Sequence, residues 1–202
     1  MINPFGFYEL LLDLENPMVR FLSMLRGINV GGKNKVTMRL LKQELASLGL
    51  DEVQTYVQSG NVVFTTKLSA ADVKTKIERA IKSKFGFDVL VFIRSGKELA
   101  DVITNSPYRQ KDETKLHITF LSQKPKEIPI HDIDSAKSGA EEFSISGKEI
   151  YLFCPYGYGV TKLSNNFFER KLKVEATTRN WRTVNALLSM LSGADTDTQN
   201  KN

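Results

Sequence analysis

Between Val19 and Ile93 the spacing of apolar residues alternates between a period of two and a period near 3.6. The order of those changes restricts the fold more than any single motif does. Residues 19 to 26 (VRFLSMLR) read as a strand. Thr37 then stands where a helix cap belongs, ahead of Met38, Leu41, Leu45 and Leu48 on one helical face, and Gly49 closes the run. VQTYV and NVVFTT are strand-like runs joined across Gln58, Ser59 and Gly60, which predicts a hairpin. Ser69 and Asp72 form a capping box for a helix that buries Val73, Ile77, Ala80 and Ile81 and ends at Gly86; VLVFI supplies the fourth strand. The resulting βαββαβ order over residues 18–94 predicts a ferredoxin-like plait, an α+β unit with an antiparallel sheet.

The remainder repeats the arrangement less cleanly. A helix capped by Ser95 and Glu98 carries Leu99, Val102 and Ile103, and the polar run NSPYRQKDETK follows, so residues 95–114 read as a connecting helix and linker. LHITFLS, EFSIS and EIYLFCP read as strands, the last two joined by a hairpin across SGK. SNNFFERKL predicts a helix capped by Ser164, VEATT a short strand, and WRTVNALLSML a C-terminal helix with Trp181, Val184, Leu188 and Leu191 on one face. Residues 115–193 are therefore expected to form a second plait-like domain, with 194–202 a disordered tail. Residues 1–17 precede the regular pattern and are expected to be an extension.

The stretch LRGINVGGKN has the spacing of a phosphate-binding P-loop, with Gly27, Gly32 and Lys33 in place and Asn34 where a hydroxyl belongs. A working P-loop leads directly into a helix, whose amides hold the phosphates. Here Asn34, Lys35, Val36 and Thr37 intervene, and no later strand ends in an Asp suited to hold a metal ion. The P-loop reading is therefore rejected.

Strands one and two of a plait run parallel, so the loop after the first and the turn after the second share an edge. That gathers Arg26, Asn29, Gly31, Gly32, Lys33, Asn34, Lys35, Gln58, Ser59 and Asn61. From Arg20 to Lys42 there are six basic residues and no Asp or Glu. Glycines that admit close approach to backbone amides, beside fixed cations, suit a phosphate or carboxylate. The alternative is that Gly31 and Gly32 only supply positive φ, while the asparagines satisfy turn backbone. In the second domain the same topology brings Lys162 and Ser164 towards Thr178, Arg179 and Asn180; there the alternative is Trp181 as a core anchor with Thr178 or Asn180 as a helix cap.

Other chemistry is sparse. His117 and His131 have no Cys or second His at metal-ligand spacing, so no metal and no cofactor is expected. Cys154 reads as a small buried hydrophobe, and Asp132 and Asp134 sit on an expected loop. The plait is also the fold of RNA-recognition modules, but the aromatic pattern they display is missing. VLVFI is apolar on both faces, so the open sheet face is expected to be covered by the other domain or by a second subunit. Net charge is +5 with a pI near 9.2, which favours anionic partners. The N-terminal stretch has neither a basic leader nor a long apolar run, and one cysteine cannot form an internal disulfide. A cytoplasmic protein with no membrane partner is expected.

LRGINVGGKNKV, TYVQSGNVVF, FGF, YLFCPYGYGVTKLS and TTRNWRTV, in this order, resemble the bacterial family catalogued as domain of unknown function 1697. The similarity spans about residues 19 to 192. It implies two consecutive α/β plaits and no assigned activity. The motif positions Arg26, Gly27, Asn29, Gly31, Gly32, Tyr56, Ser59, Gly60, Asn61, Lys162, Arg179, Asn180 and Trp181 are carried over as candidates only. Three functional classes follow. The leading one is noncatalytic binding of an anionic ligand, whether nucleotide, phosphorylated metabolite or nucleic-acid phosphate. The second is an enzyme acting on a phosphorylated or acyl small molecule, with Arg26, Lys33 or Arg179 stabilising charge. The third is a protein-interaction or structural module.

Overall fold

The computed structural model describes residues 17–193. The expected N-terminal extension, up to residue 16, and the expected tail lie outside the described residues. The chain divides at Ser95/Gly96 into two compact units. Each contains one four-stranded antiparallel sheet, so the class is α+β, and a helix closes the described chain.

The first unit comprises β1 (Val19–Leu25), α1 (Met38–Ser47), β2 (Asp51–Tyr56), β3 (Asn61–Thr66), α2 (Ala70–Phe85) and β4 (Val91–Ser95). Its sheet order is β2-β3-β1-β4. Since β1 and β2 are each antiparallel to β3, they run parallel to one another. Their C-terminal ends therefore share one end of the sheet. Local chemistry sets the helix boundaries. The Thr37 hydroxyl accepts from Leu40 N, and the Ser69 hydroxyl accepts from Asp72 N at 3.1 Å while donating to Asp72 Oδ2 at 2.6 Å. Gly86, at φ +80°, ends α2 with its amide on the Lys82 carbonyl.

Phe21, Leu25, Val62 and Phe64 meet Leu41, Leu45, Val73, Ile77 and Ile81 in one core. Phe64 is completely buried there, so Phe64→Ala would cost about 3–5 kcal/mol. The alternating residues Leu22, Met24, Val63 and Phe92 are buried as well. A bulge between Asp51 and Gln54 interrupts β2, with Glu52 at φ +49°.

The second unit comprises α3 (Gly96–Thr104), a 3-10 turn at Glu113–Lys115, β5 (Leu116–Leu121), α4 (Ile130–Asp134), β6 (Glu142–Ser146), β7 (Glu149–Phe153), α5 (Asn165–Leu172), β8 (Ala176–Asn180) and α6 (Trp181–Leu191). Its sheet order, β6-β7-β5-β8, repeats that of the first unit, position for position.

The second unit differs from the sequence expectation in four places. The segment IPIHDID, read as a loop, forms the short helix α4: Ile133 drops into the core, and Asp132 pairs with Lys171 of α5 at 2.5 Å. The last strand runs on through Arg179 and Asn180, because Ile118 and His117 of β5 continue to pair with it. On α6 the buried face is Trp181, Val184, Leu187, Met190 and Leu191, so Leu187 rather than Leu188 points inward. α3, expected within a connector, packs against α6 and buries Leu99 and Val102. No helix among the described residues is long and apolar enough to cross a membrane.

Candidate functional site

After β1 the chain does not sweep into α1; it first forms a small hairpin of its own. Lys33 N donates to Val30 O at 3.1 Å, with an antiparallel bridge between the two residues, and Asn29 N donates to Asn34 O at 3.1 Å. The two residues at the tip, Gly31 and Gly32, have φ +58° and +76°. Positive φ at both central positions is the signature of the type I′ turn, which side chains with a Cβ adopt only at a cost. The glycine spacing that imitates a P-loop thus folds as a β-turn. Its amides do not open a helix.

The asparagines hold this hairpin in place. Asn29 donates from Nδ2 to Val36 O at 2.8 Å and to Gln58 O at 3.0 Å, and its Oδ1 accepts from Val36 N at 2.8 Å. Asn34 Nδ2 donates to Gly27 O at 3.2 Å. In the turn between β2 and β3, the buried Asn61 donates to the Ser59 hydroxyl at 2.8 Å. Gly60 lies so close to the first loop that a Cβ there would sit 2.8 Å from Ile28 Cδ1 and 2.9 Å from Leu25 Cβ. The two loops therefore converge as the parallel strands require. Asn29 and Asn61, grouped with the ligand-binding candidates in the sequence, have their side-chain amides engaged by the loops themselves.

What faces solvent is different in character. Gly31, Gly32, Lys33, Lys35, Gln58 and Ser59 are exposed, while Arg26, Asn29 and Asn34 are half-buried. Among the described residues no acceptor engages the Gly31 or Gly32 amide. The first turn of α1, which begins at Met38 after four residues intervening from Lys33, carries Arg39 and no acidic residue. Arg20 falls outside this group, since it lies at the opposite end of β1 and faces Glu52 at 3.8 Å.

In the second unit the chain entering α5 reaches β8, where Asn165 meets Thr178 at 2.6 Å, and two of the sequence candidates are helix caps. Ser164 caps α5 by accepting from Phe167 N, and Asn180 caps α6 by accepting from Thr183 N at 2.8 Å. Lys162 is exposed on the preceding loop. Arg179 and Thr178 are consecutive strand residues and point to opposite faces of the sheet. The Arg179 guanidinium donates to Thr177 Oγ1 at 2.8 Å and to Thr178 O at 2.9 Å, and burial lowers its pKa to about 10, which leaves it charged at neutral pH.

On the other face lies a cluster that sequence reasoning missed. Thr178 Oγ1 donates to Asn165 Oδ1 at 2.6 Å, accepts from the Tyr158 hydroxyl at 3.0 Å and lies 2.7 Å from Thr119 Oγ1. The His117 ring stacks on Tyr158 with centroids 4.7 Å apart, and burial lowers its pKa. Thr119 and Thr178 are 59 residues apart and meet only through the β5–β8 register, so no local signal announces them. Cys154 is buried; that burial, reinforced by Glu141, pushes its thiol up to about 12, far from a reactive thiolate.

Comparison with other proteins agrees with the fold and assigns no activity. The family described as protein of unknown function (DUF1697) matches residues 18–151. Among solved structures, the conserved bacterial protein SP0830 from Streptococcus pneumoniae is similar at 29% identity with a TM-score of 0.67, over 87% of this chain and 99% of that one. None of the curated proteins matches. Since the family match covers well over half of the sequence, the chain belongs to the DUF1697 family of proteins of unknown function.

Proposed function

We propose that the protein is a noncatalytic binder of an anionic ligand, held at the Val30–Lys33 turn of the first unit. The observation that carries this reading is the turn itself. It presents two exposed glycines whose amides no described residue engages, next to Lys33 and Lys35, in a stretch without a single acidic side chain. Amides converging with fixed cations stabilise phosphate or carboxylate oxygens. The acid-free start of α1 adds to the same field. Asn29 contributes indirectly, by making the turn rigid before the ligand arrives, which lowers the ordering cost of binding.

The finer fold assignment belongs to the same proposal. Both units have the strand order and directions of the ferredoxin-like plait, and we assign both to it. We also propose a cytoplasmic location: the lone cysteine needs no oxidising compartment, and the basic charge suits intracellular polyanions and phosphorylated metabolites.

A second reading is a structural or protein-interaction module. It is favoured by the hydrogen bonds of Asn29, Asn34 and Asn61, all made within the loops. Titration calorimetry with inorganic phosphate, AMP and a short oligonucleotide at two salt concentrations separates the readings. Binding of any of them supports the anion site. A steep loss of affinity with salt identifies a polyanion, and a weak dependence a small ligand held by amides. No heat from any of the three leaves the module.

A further inference from the structure

The positive-φ positions of the two converging loops are Gly27, Asn29, Gly31, Gly32, Asn34, Val57 and Gly60, with Val57 at φ +48°. Six of the seven are Gly or Asn, the residues that tolerate this conformation. Val57 is the exception. A β-branched residue in the left-handed region is a genuine outlier. Burial gives no compensation here, since 52% of Val57 is exposed. Val30, which starts the glycine turn, is 65% exposed. The two valines flank the Asn29–Gln58 hydrogen bond, one on each loop, at the end of the sheet that carries Lys33 and Lys35. Asn or Gly at position 57 would hold this backbone conformation with less strain, so the valine costs the fold stability. Strain of this kind is found where it serves a site.

Resting on the anion-site reading, we propose that the ligand is a nucleoside phosphate: its phosphate lies on the Gly31–Lys35 turn and its base lies against Val30 and Val57. The phosphate answers the amides and lysines. The flat apolar face of a base gains contact from methyl groups on an open surface, whereas an acyl chain gains comparable burial only inside a channel. Free mononucleotides and the 5′-phosphorylated end of a strand present the same two groups.

The test compares AMP, ribose 5-phosphate and a 5′-phosphorylated adenosine-ended trinucleotide, titrated into the wild type and into Val57→Asn and Val30→Ser. The wild type should prefer AMP to ribose 5-phosphate. Val57→Asn should raise the melting temperature yet weaken AMP by about tenfold, the value of one apolar side-chain contact. Ribose 5-phosphate affinity should not change. Val30→Ser should weaken AMP similarly. Tighter binding of AMP or of the trinucleotide supports the inference in either case and tells the free nucleotide from the strand end. Equal wild-type affinities for AMP and ribose 5-phosphate would overturn the nucleoside inference and leave the anion site standing. So would an AMP to ribose 5-phosphate ratio that neither substitution alters. If no ligand binds the wild type, the anion-site reading itself falls.

Discussion

The side-chain amide of Asn29 donates 3.0 Å to the backbone carbonyl of Gln58, joining the loop after β1 to the turn between β2 and β3 across 29 residues of sequence. One side chain thereby sets the geometry of both loops, because it also closes two bonds with Val36. Asn29→Ala removes all three bonds and places a Cβ-bearing residue without side-chain hydrogen bonding at φ +56°. The expected loss is about 2–3 kcal/mol, read as a lower denaturant midpoint. Asn29→Asp keeps the acceptor for Val36 N but sets a carboxylate oxygen against two carbonyl oxygens, and should also destabilise. A change below about 0.5 kcal/mol in both variants would show that the bond does not hold the loops.

Gly60 and Gly31 both have positive φ but differ in surroundings. A Cβ on Gly31 meets nothing within 4 Å, whereas one on Gly60 enters the contact radius of Ile28 and Leu25. Gly31→Ala should therefore cost only the backbone preference, about 1 kcal/mol, and Gly60→Ala about 2–4 kcal/mol, since the overlap adds to it. Thermal unfolding of the two variants side by side checks the order. Equal losses would mean that the loops separate easily and that their convergence is not maintained.

The loops could be brought together from sequence because the order of strands and helices decides which ends of the sheet they reach. The helix caps at Thr37 and Ser69 are readable for a related reason, since each is a side chain bonding backbone three residues away. The Val30–Lys33 hairpin had a signal, the Gly31–Gly32 pair between two residues able to bridge, but that spacing coincided with a phosphate-loop pattern. The run VEATT ends at Thr178, and a strand ending there places Arg179 beside Thr178. Two more residues of pairing with β5 turn the neighbours to opposite faces. The Tyr158–Thr178–Thr119–Asn165 cluster depends on register between distant strands, which periodicity does not encode.

His117 gives the fold a defined response to acid. Burial beside Tyr158 lowers its pKa below the ordinary 6.5, so the folded state binds a proton less readily than the unfolded chain. Its contribution to stability is complete above about pH 6.5 and is lost as the pH falls from there towards the depressed folded value. His117→Gln removes this dependence. The difference in unfolding free energy between wild type and variant should shrink in the wild type's disfavour as the pH drops below about 6.5. A difference that stays constant from pH 8 to pH 5, roughly the range in which histidine titrates, would mean that His117 titrates normally.

The central claim, an anion site on the glycine turn, is tested most directly by calorimetric titration of AMP into the wild type and into a Lys33→Ala, Lys35→Ala double variant. Both lysines are exposed, and no ion pair engages either of them among the described residues, so the variant should melt at the wild-type temperature. The predicted result is binding by the wild type and at least about a tenfold loss in the variant, the effect expected when charge-assisted bonds to phosphate are removed. Equal affinity in the two proteins would contradict the account.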